Sequence, residues 1–559
     1  MRTWLPIVHL ALTLVILAWN IALAGRISQV RKAPRAFAAI TALAGFLIAP
    51  SLALSIAASS AITGRALVAV DWLWPLTAVM FAVQAIYALA RRLVNTFVGL
   101  PIAVYDIVIA VTVVLRYLAS RGFNPPEPAL VLLAAQTDAL TLVTGTAALT
   151  SPLFFNIPII SPAFPAAREL TAGFRVVVAF VAAGWTTLIA VGLPRGQVAV
   201  RTYDRYTGAR LEDRPAGDFL IGLKILPDLA RAPSVRAIRS DLALIDTLGV
   251  DAISVVVVPD AATGEVLDSV ARIVEPLRRA DSTLLVVALG YPGKLIPPLR
   301  PLRLDAEQRL RAVNQVVRRL RPDILIPAED PYGAGARAFG LLPVETWQDY
   351  LTRASRLSKQ LRPRTRIGVA ASSFGTRDSL LYAWAVKPGS PIDVVGFSLF
   401  PSRRGAETLD ASMRAADRWI QTERPRKEHW VFSTGGLPLA HGERSQERAL
   451  SGVLSWATGR DEIRGLVANG AGDYGAVIGL RAPNGRLRPA AFAVLSAKRG
   501  LEETAAPAGG VAALTGPTGG GATPVEDAPS GSRGRTAGDT SRARTTRRAT
   551  PATNRTRRP

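Results

Sequence analysis

Eight short apolar runs recur between residues 218 and 468, each parted from the next by a more polar stretch, and this alternation limits the fold more than any other feature. The runs are 218–225, 251–258, 283–289, 323–328, 366–371, 392–399, 429–433 and 464–468. Between them, 234–248, 265–280, 305–320, 345–361, 407–422 and 444–458 carry apolar residues at helical spacing. Ile253-Ser254-Val255-Val256-Val257-Val258 is apolar without alternation, as a strand buried on both faces is. Parallel strands need crossover connections, and regular helices supply them here. Eight such units predict a (β/α)8 TIM barrel over 217–500 rather than an open sheet.

In such a barrel the chemistry sits at the C-terminal ends of the strands. Ile324-Leu325-Ile326-Pro327-Ala328-Glu329-Asp330-Pro331 delivers a carboxylate to that end. Trp430-Val431-Phe432-Ser433-Thr434-Gly435-Gly436-Leu437-Pro438 delivers a hydroxyl onto a Gly-rich turn. Asp473 follows the last run. Around the expected mouth lie Tyr291, Tyr332, Phe374, Trp384, Phe400 and Tyr474. Aromatic faces at a polar rim suit stacking on sugar rings, and Tyr332, Trp384, Phe400 and Tyr474 are the expected substrate contacts. Taken singly, each fits packing in the core or a loop as well. Trp347, Trp419 and Trp456 stand at helical spacing and read as core.

The ends of the chain differ in kind. A membrane-spanning helix needs about 20 mostly apolar residues. Six segments within 1–193 qualify, near 4–24, 36–59, 67–90, 97–119, 129–150 and 174–193. The first is too long and too weakly basic at its start for a cleaved signal. Arg26, Arg31, Lys32 and Arg35 fill the first loop, and Arg91 and Arg92 the third. Short basic loops stay in the cytoplasm. This predicts a multi-pass inner-membrane protein of bacterial type with the barrel outside the cytoplasm, although Arg195, Arg201 and Arg205 follow the last span. Asp106 and Asp138 fall near mid-span. Carboxyls at that depth face a bundle interior, either bonding helix to helix or lining a polar path. Residues 194–216 read as a linker, and 501–559 as a disordered tail with almost no large apolar side chains.

The formal net charge is +24, part of it on tail arginines from Arg533 to Arg558. Such a tail suits a polyanion or none at all. With no cysteine and three histidines, thiolate and histidine-rich metal sites are excluded, and no cofactor is expected.

Four phrases within 217–500 carry a resemblance. Gly249-Val250-Asp251-Ala252-Ile253-Ser254-Val255 looks like the second strand of the clan A glycoside hydrolases, the retaining barrel glycosidases. Ile392-Asp393-Val394-Val395-Gly396-Phe397-Ser398-Leu399-Phe400-Pro401 looks like their sixth strand, and Ser433-Thr434-Gly435-Gly436-Leu437-Pro438 like the seventh. Gly479-Leu480, then Asn484-Gly485-Arg486-Leu487-Arg488-Pro489, resembles the stretch after strand eight.

That family ends strand four with Asn-Glu, the Glu being acid/base, and strand seven with a nucleophilic Glu. The resemblance therefore implies acid/base at Glu329, with Ala328 where Asn is expected and Ser433 where the nucleophile is expected. It also implies a glycan partner. Retaining hydrolysis needs two carboxyls about 5–5.5 Å apart, and a serine supplies none. An inverting route needs a base about 6.5–9.5 Å from the acid, and Asp473, Glu443 or Asp330 would have to provide it. The alternative for Glu329 is a plain ion pair with an arginine such as Arg337 or Arg403. A barrel of this kind either binds a cell-envelope or exported polysaccharide, hydrolyses it with a relocated base, or serves as an assembly subunit. An open carboxylate-lined mouth favours the first two, and a mouth filled by its own side chains the third.

Overall fold

The computed structural model describes residues 72–120, 200–226 except 216, 235–291 except 282, and 303–503 apart from 402–405, 424–425, 439–441, 474–477 and 483, with isolated positions within 15–51 and 128–198. Four of the six predicted spans and the Arg-rich tail fall mostly or wholly outside the described residues.

The strands are β1 (Leu220–Lys224), β2 (Ala252–Val257), β3 (Leu284–Leu289), β4 (Ile324–Ile326), β5 (Arg366–Ala371), β6 (Val394–Leu399), β7 (Glu428–Thr434) and β8 (Ile463–Ala468). They pair in sequence order, all parallel, and β8 closes on β1. In the closing pair Leu220 lies opposite Gly465 and Gly222 opposite Val467. Helices such as Val235–Leu248, Ala306–Leu320, Val344–Leu361 and Glu443–Thr458 form the crossovers. This is the (β/α)8 barrel that the alternation predicts.

Side chains alternate across each strand, so the sheet carries two cores. Outside, Ile221, Leu223, Ile253, Val255, Leu285 and Val287 pack under the helices. Inside, Ala252, Val286, Ile324, Ile326, Trp430, Phe432 and Val467 fill the barrel. The two large rings of β7 stack with centroids 6.2 Å apart. They fit because their neighbours lack side chains. A Cβ on Gly465 would lie 2.6 Å from Trp430 Cζ3, and one on Gly368 3.1 Å from Phe432 Cζ. Glycine on strands beside large aromatics is thus how this sequence fills a narrow interior without overpacking.

β7 carries one residue more than its neighbours at Phe432–Ser433. Phe397 pairs with Val431 but Ser398 with Ser433, and the β8 register shifts at the same place. A bulge re-aims the residues after it. Here it follows Phe432, an interior residue, and sets the direction of Ser433.

Among the described residues, Leu73–Ala90 and Thr96–Leu118 are helices long and apolar enough to cross a membrane. They match the predicted spans 67–90 and 97–119. Thr96–Ser120 contains Pro101, which gives up one intrahelical N–H bond.

Candidate active site

Lys224 ends β1 with its side chain 4% exposed. A lysine so buried needs partners, since an isolated ammonium in an apolar interior is very costly. It has two. Its Nζ forms an ion pair with Glu329 and donates to Ser433 Oγ at 3.3 Å. The two residues singled out in the sequence, one beyond β4 and one within β7, are therefore joined through a third, from β1. The side chain of Glu329 is 16% exposed. Ser433 is 4% exposed.

The sequence reading missed Lys224. Its signal lay in Phe219-Leu220-Ile221-Gly222-Leu223-Lys224-Ile225, one cation in an apolar strand. It shares the parity of Gly222, whose Cβ would touch Ala252 Cβ at 3.1 Å and Val467 Cγ2 at 3.2 Å inside the barrel. A lone lysine on the inward parity at the C-terminal end of a barrel strand points into the mouth.

Arg309 fixes the neighbouring strand ends. It is buried on helix Ala306–Leu320, and its guanidinium donates to the carbonyls of Leu289 at 3.1 Å, Gly290 at 2.9 Å and Pro327 at 2.7 Å. Tyr350 OH also donates to Pro327 O, at 3.0 Å. Burial pushes the Tyr350 phenol up, while Arg309 opposes the shift. Two of these four bonds thus hold the chain two residues before Glu329, and the other two hold the end of β3.

The other carboxylates near the strand ends are already engaged. Asp473 is 3% exposed and grips Arg488 with both oxygens, at 2.9 and 2.6 Å, while Oδ1 also accepts the Gly479 N–H at 2.8 Å. Glu443 holds Arg486 at 2.7 and 2.9 Å and Arg488 at 3.3 Å. Asp330 accepts the Ala334 N–H at 2.9 Å and the Ser372 hydroxyl. Arg488 bridges Asp473 and Glu443, so these two carboxylates tie the segment after β8 to helix Glu443–Thr458.

Among the described residues, no ring contact joins Tyr332, Trp384 and Phe400. Phe400, just beyond β6, lies over Gly435, whose Cβ would meet its Cε1 at 3.2 Å. Tyr332 is 5% exposed, and burial pushes its phenol up to about 12. Trp384 lies in the last turn of helix Thr376–Val386 and packs against the outer core. A crossover helix begins near the mouth and ends at the opposite face, so this position is far from the strand ends. Lys427, one residue before β7, bonds Ala385 O at 2.8 Å and marks that opposite face. Tyr474, Arg403 and the side chain of Arg337 lie outside the described residues.

In the apolar helices Asp106 is fully buried. Its Oδ1 accepts the Ile159 N–H at 2.8 Å. Tyr105 donates to Ile157 O at 2.9 Å, and Trp19 to Ile160 O at 2.8 Å. Asn20 donates to Pro158 O at 2.6 Å and accepts from Ile160 N–H at 2.9 Å. Four side chains thus satisfy the backbone of a non-helical segment, Ile157 to Ile160, that cannot satisfy itself. Asp138 lies outside the described residues.

The chain has a closed, all-parallel (β/α)8 barrel, the fold that the resemblance to clan A implies. No protein-family model and no curated protein matches it. Among solved structures it is similar to a beta-glucuronidase from an uncultured Clostridium species, at 13% identity and a TM-score of 0.36 over 50% of each chain. A monomeric beta-xylosidase from Caulobacter crescentus aligns at 12% identity and a TM-score of 0.38, over 51% of this chain and 69% of that one. A GH5 protein from Streptomyces cattleya, in complex with Manb1-4GlcNAc, aligns at 16% identity and a TM-score of 0.39, over 51% of this chain and 80% of that one. The chain spans half the length of the first of these.

Proposed function

We propose that this is a membrane-anchored, glycoside-hydrolase-like protein whose barrel recognises a cell-envelope or exported polysaccharide without retaining hydrolysis. The contact of Lys224 with both Glu329 and Ser433 carries the reading. A retaining site needs a carboxylate that attacks and a carboxylic acid that donates a proton. An ammonium has no lone pair with which to attack. It also occupies Glu329 in an ion pair, in place of the leaving-group oxygen that a general acid must face. Beside an oxocarbenium-like centre its charge adds to the developing charge instead of offsetting it. Phe400 and Tyr474 are the proposed stacking partners, and Glu329 the proposed polar anchor for sugar hydroxyls.

The rival hydrolase with a relocated base finds less support, because Asp473 and Glu443 share Arg488 and Asp330 is bonded to Ser372. A second reading has an observation of its own. Lys224, Ser433 and Tyr332 are each 5% exposed or less, which suits a mouth filled by its own side chains and a barrel that docks a protein partner. The apolar helices anchor the chain in this proposal, with the barrel outside the cytoplasm and the Arg-rich tail free to meet anionic lipid or another polyanion. Reporter fusions at Gly217 and Lys32 then give opposite signals.

The test is glycan binding by the full chain in detergent, with and without Glu329→Gln combined with Tyr474→Ala. The proposal expects the pair of substitutions to weaken binding at least tenfold. Unchanged binding rejects the mouth as the glycan site and promotes the docking reading.

A further inference from the structure

Helices Ala306–Leu320 and Val344–Leu361 leave a groove of about 550 Å3 between them on the flank of the barrel. That volume falls within the range of small-molecule sites, about 300–1,000 Å3. Three guanidiniums line it, from Arg311, Arg353 and Arg356, against one carboxylate, Glu307. Arg353 and Glu307 are paired with each other. Among the described residues Arg311 and Arg356 have no acidic partner. The groove is open to solvent, and it presents two exposed arginines, Arg311 and Arg356, beside the Arg353–Glu307 pair.

A bland account exists for many arginines in this region. Arg278 and Arg362 both donate to Arg321 O, which ends helix Ala306–Leu320 in a left-handed turn. Cations at a helix C-terminus answer its exposed carbonyls. That account does not reach Arg311 or Arg356. Both stand more than one turn from the ends of their helices, where the dipole effect has faded.

The rest of the lining narrows the ligand. Asn314 and Gln360 offer amides, each both donor and acceptor, and Gln315, whose oxygen accepts from Arg319 at 3.2 Å, offers its NH2, which together match vicinal hydroxyls. Leu310 and Leu357 add apolar floor suited to the C–H face of a sugar ring. A flat lipid surface would be met by a convex face with protruding apolar groups, which this concave lining lacks. Arginine forks bind carboxylates in two-point fashion.

We infer that this groove is a second carbohydrate site, separate from the mouth, that takes an acidic polysaccharide through its sugar carboxylates. The inference rests on the reading of the barrel as glycan-recognising, and adds that the glycan is a polyuronate.

The experiment uses the full chain in detergent with polygalacturonate oligomers, a neutral cello-oligomer, inorganic polyphosphate and phosphatidylglycerol vesicles as probes. The variants are Arg311→Gln with Arg356→Gln, and separately Glu329→Gln with Tyr474→Ala. Gln keeps the helices and part of the side-chain length, and far-UV circular dichroism confirms folding. The expected result is polygalacturonate binding that weakens with salt and falls at least tenfold in the arginine double variant. Polyphosphate and vesicles should bind at least tenfold more weakly than polygalacturonate. Equal binding of polyphosphate or vesicles overturns the acidic-sugar assignment. Polygalacturonate binding lost only in the Glu329 and Tyr474 variant overturns the groove and leaves the mouth reading standing. Failure of both oligomers to bind overturns both.

Discussion

The Lys224 ammonium lies 3.3 Å from the Ser433 hydroxyl, and the same ammonium is ion-paired with Glu329. Any restoration of retaining chemistry must therefore change two positions. Ser433→Glu alone places a new carboxylate against Lys224, and the two should pair. Ser433→Glu with Lys224→Met leaves Glu329 and the new carboxylate as a pair. We expect weak hydrolysis of an activated aryl glycoside from the double variant and none from either single one, read as release of the aryl alcohol.

Lys224 and Glu329 should also be coupled in stability. Removing one partner of a buried pair costs about 3–5 kcal/mol. Glu329 keeps some exposure, so Lys224→Met should fall at the low end, near 3 kcal/mol. Adding Glu329→Gln should return part of that loss. Urea denaturation of the four proteins in a double-mutant cycle reads the coupling, and strict additivity contradicts the pair.

The barrel should lose stability in acid through His429. Its Nδ1 donates to Lys427 O at 2.8 Å, and burial keeps the ring neutral, so its Nε2 accepts from Tyr382 OH at 2.9 Å. Burial lowers its pKa to about 4, partly opposed by the Lys427 carbonyl. Between about pH 6.5 and 4 the unfolded chain binds a proton that the folded barrel does not, so stability falls as pH falls through that window. The full loss is about 3 kcal/mol. His429→Gln should flatten this slope in denaturation midpoints taken from pH 7 to 4, whatever it does to stability at neutral pH.

Gly465→Ala should be more damaging than a surface substitution of equal size. Its Cβ would lie 2.6–2.8 Å from three atoms of the Trp430 ring. Overpacking costs about 1–3 kcal/mol. Trp430→Phe should rescue part of the loss in thermal melts.

Asp106→Ala and Asp106→Asn should separate. Asn keeps an oxygen for the Ile159 N–H, and Ala leaves that donor unsatisfied, at about 1–3 kcal/mol. Thermal stability of the purified chain in detergent should fall more for Ala than for Asn.

The barrel was legible because strand burial on both faces writes itself as apolar runs. The runs at 283–289 and 366–371 agree with β3 and β5 within one residue. The ends of β4 were harder, since its run continues through Pro327, which has no N–H to offer a ladder. Glu329 and Ser433 were legible as strand-end residues, and the contact that joins them was not. It depends on the parity of β1 and on the bulge after Phe432, and neither has a periodic signature. The ion pairs of Arg488 with Asp473 and Glu443 were hidden for a related reason. They link residues 15 and 45 positions apart, and one charged residue in sequence does not name its partner.

The most direct measurement is the intact mass of the full chain after incubation with mechanism-based glycoside inhibitors that trap a retaining nucleophile. With Lys224 and Ser433 facing Glu329, the mass should not change. Gain of one sugar, mapped to any side chain at the mouth, would show a working nucleophile and contradict the account.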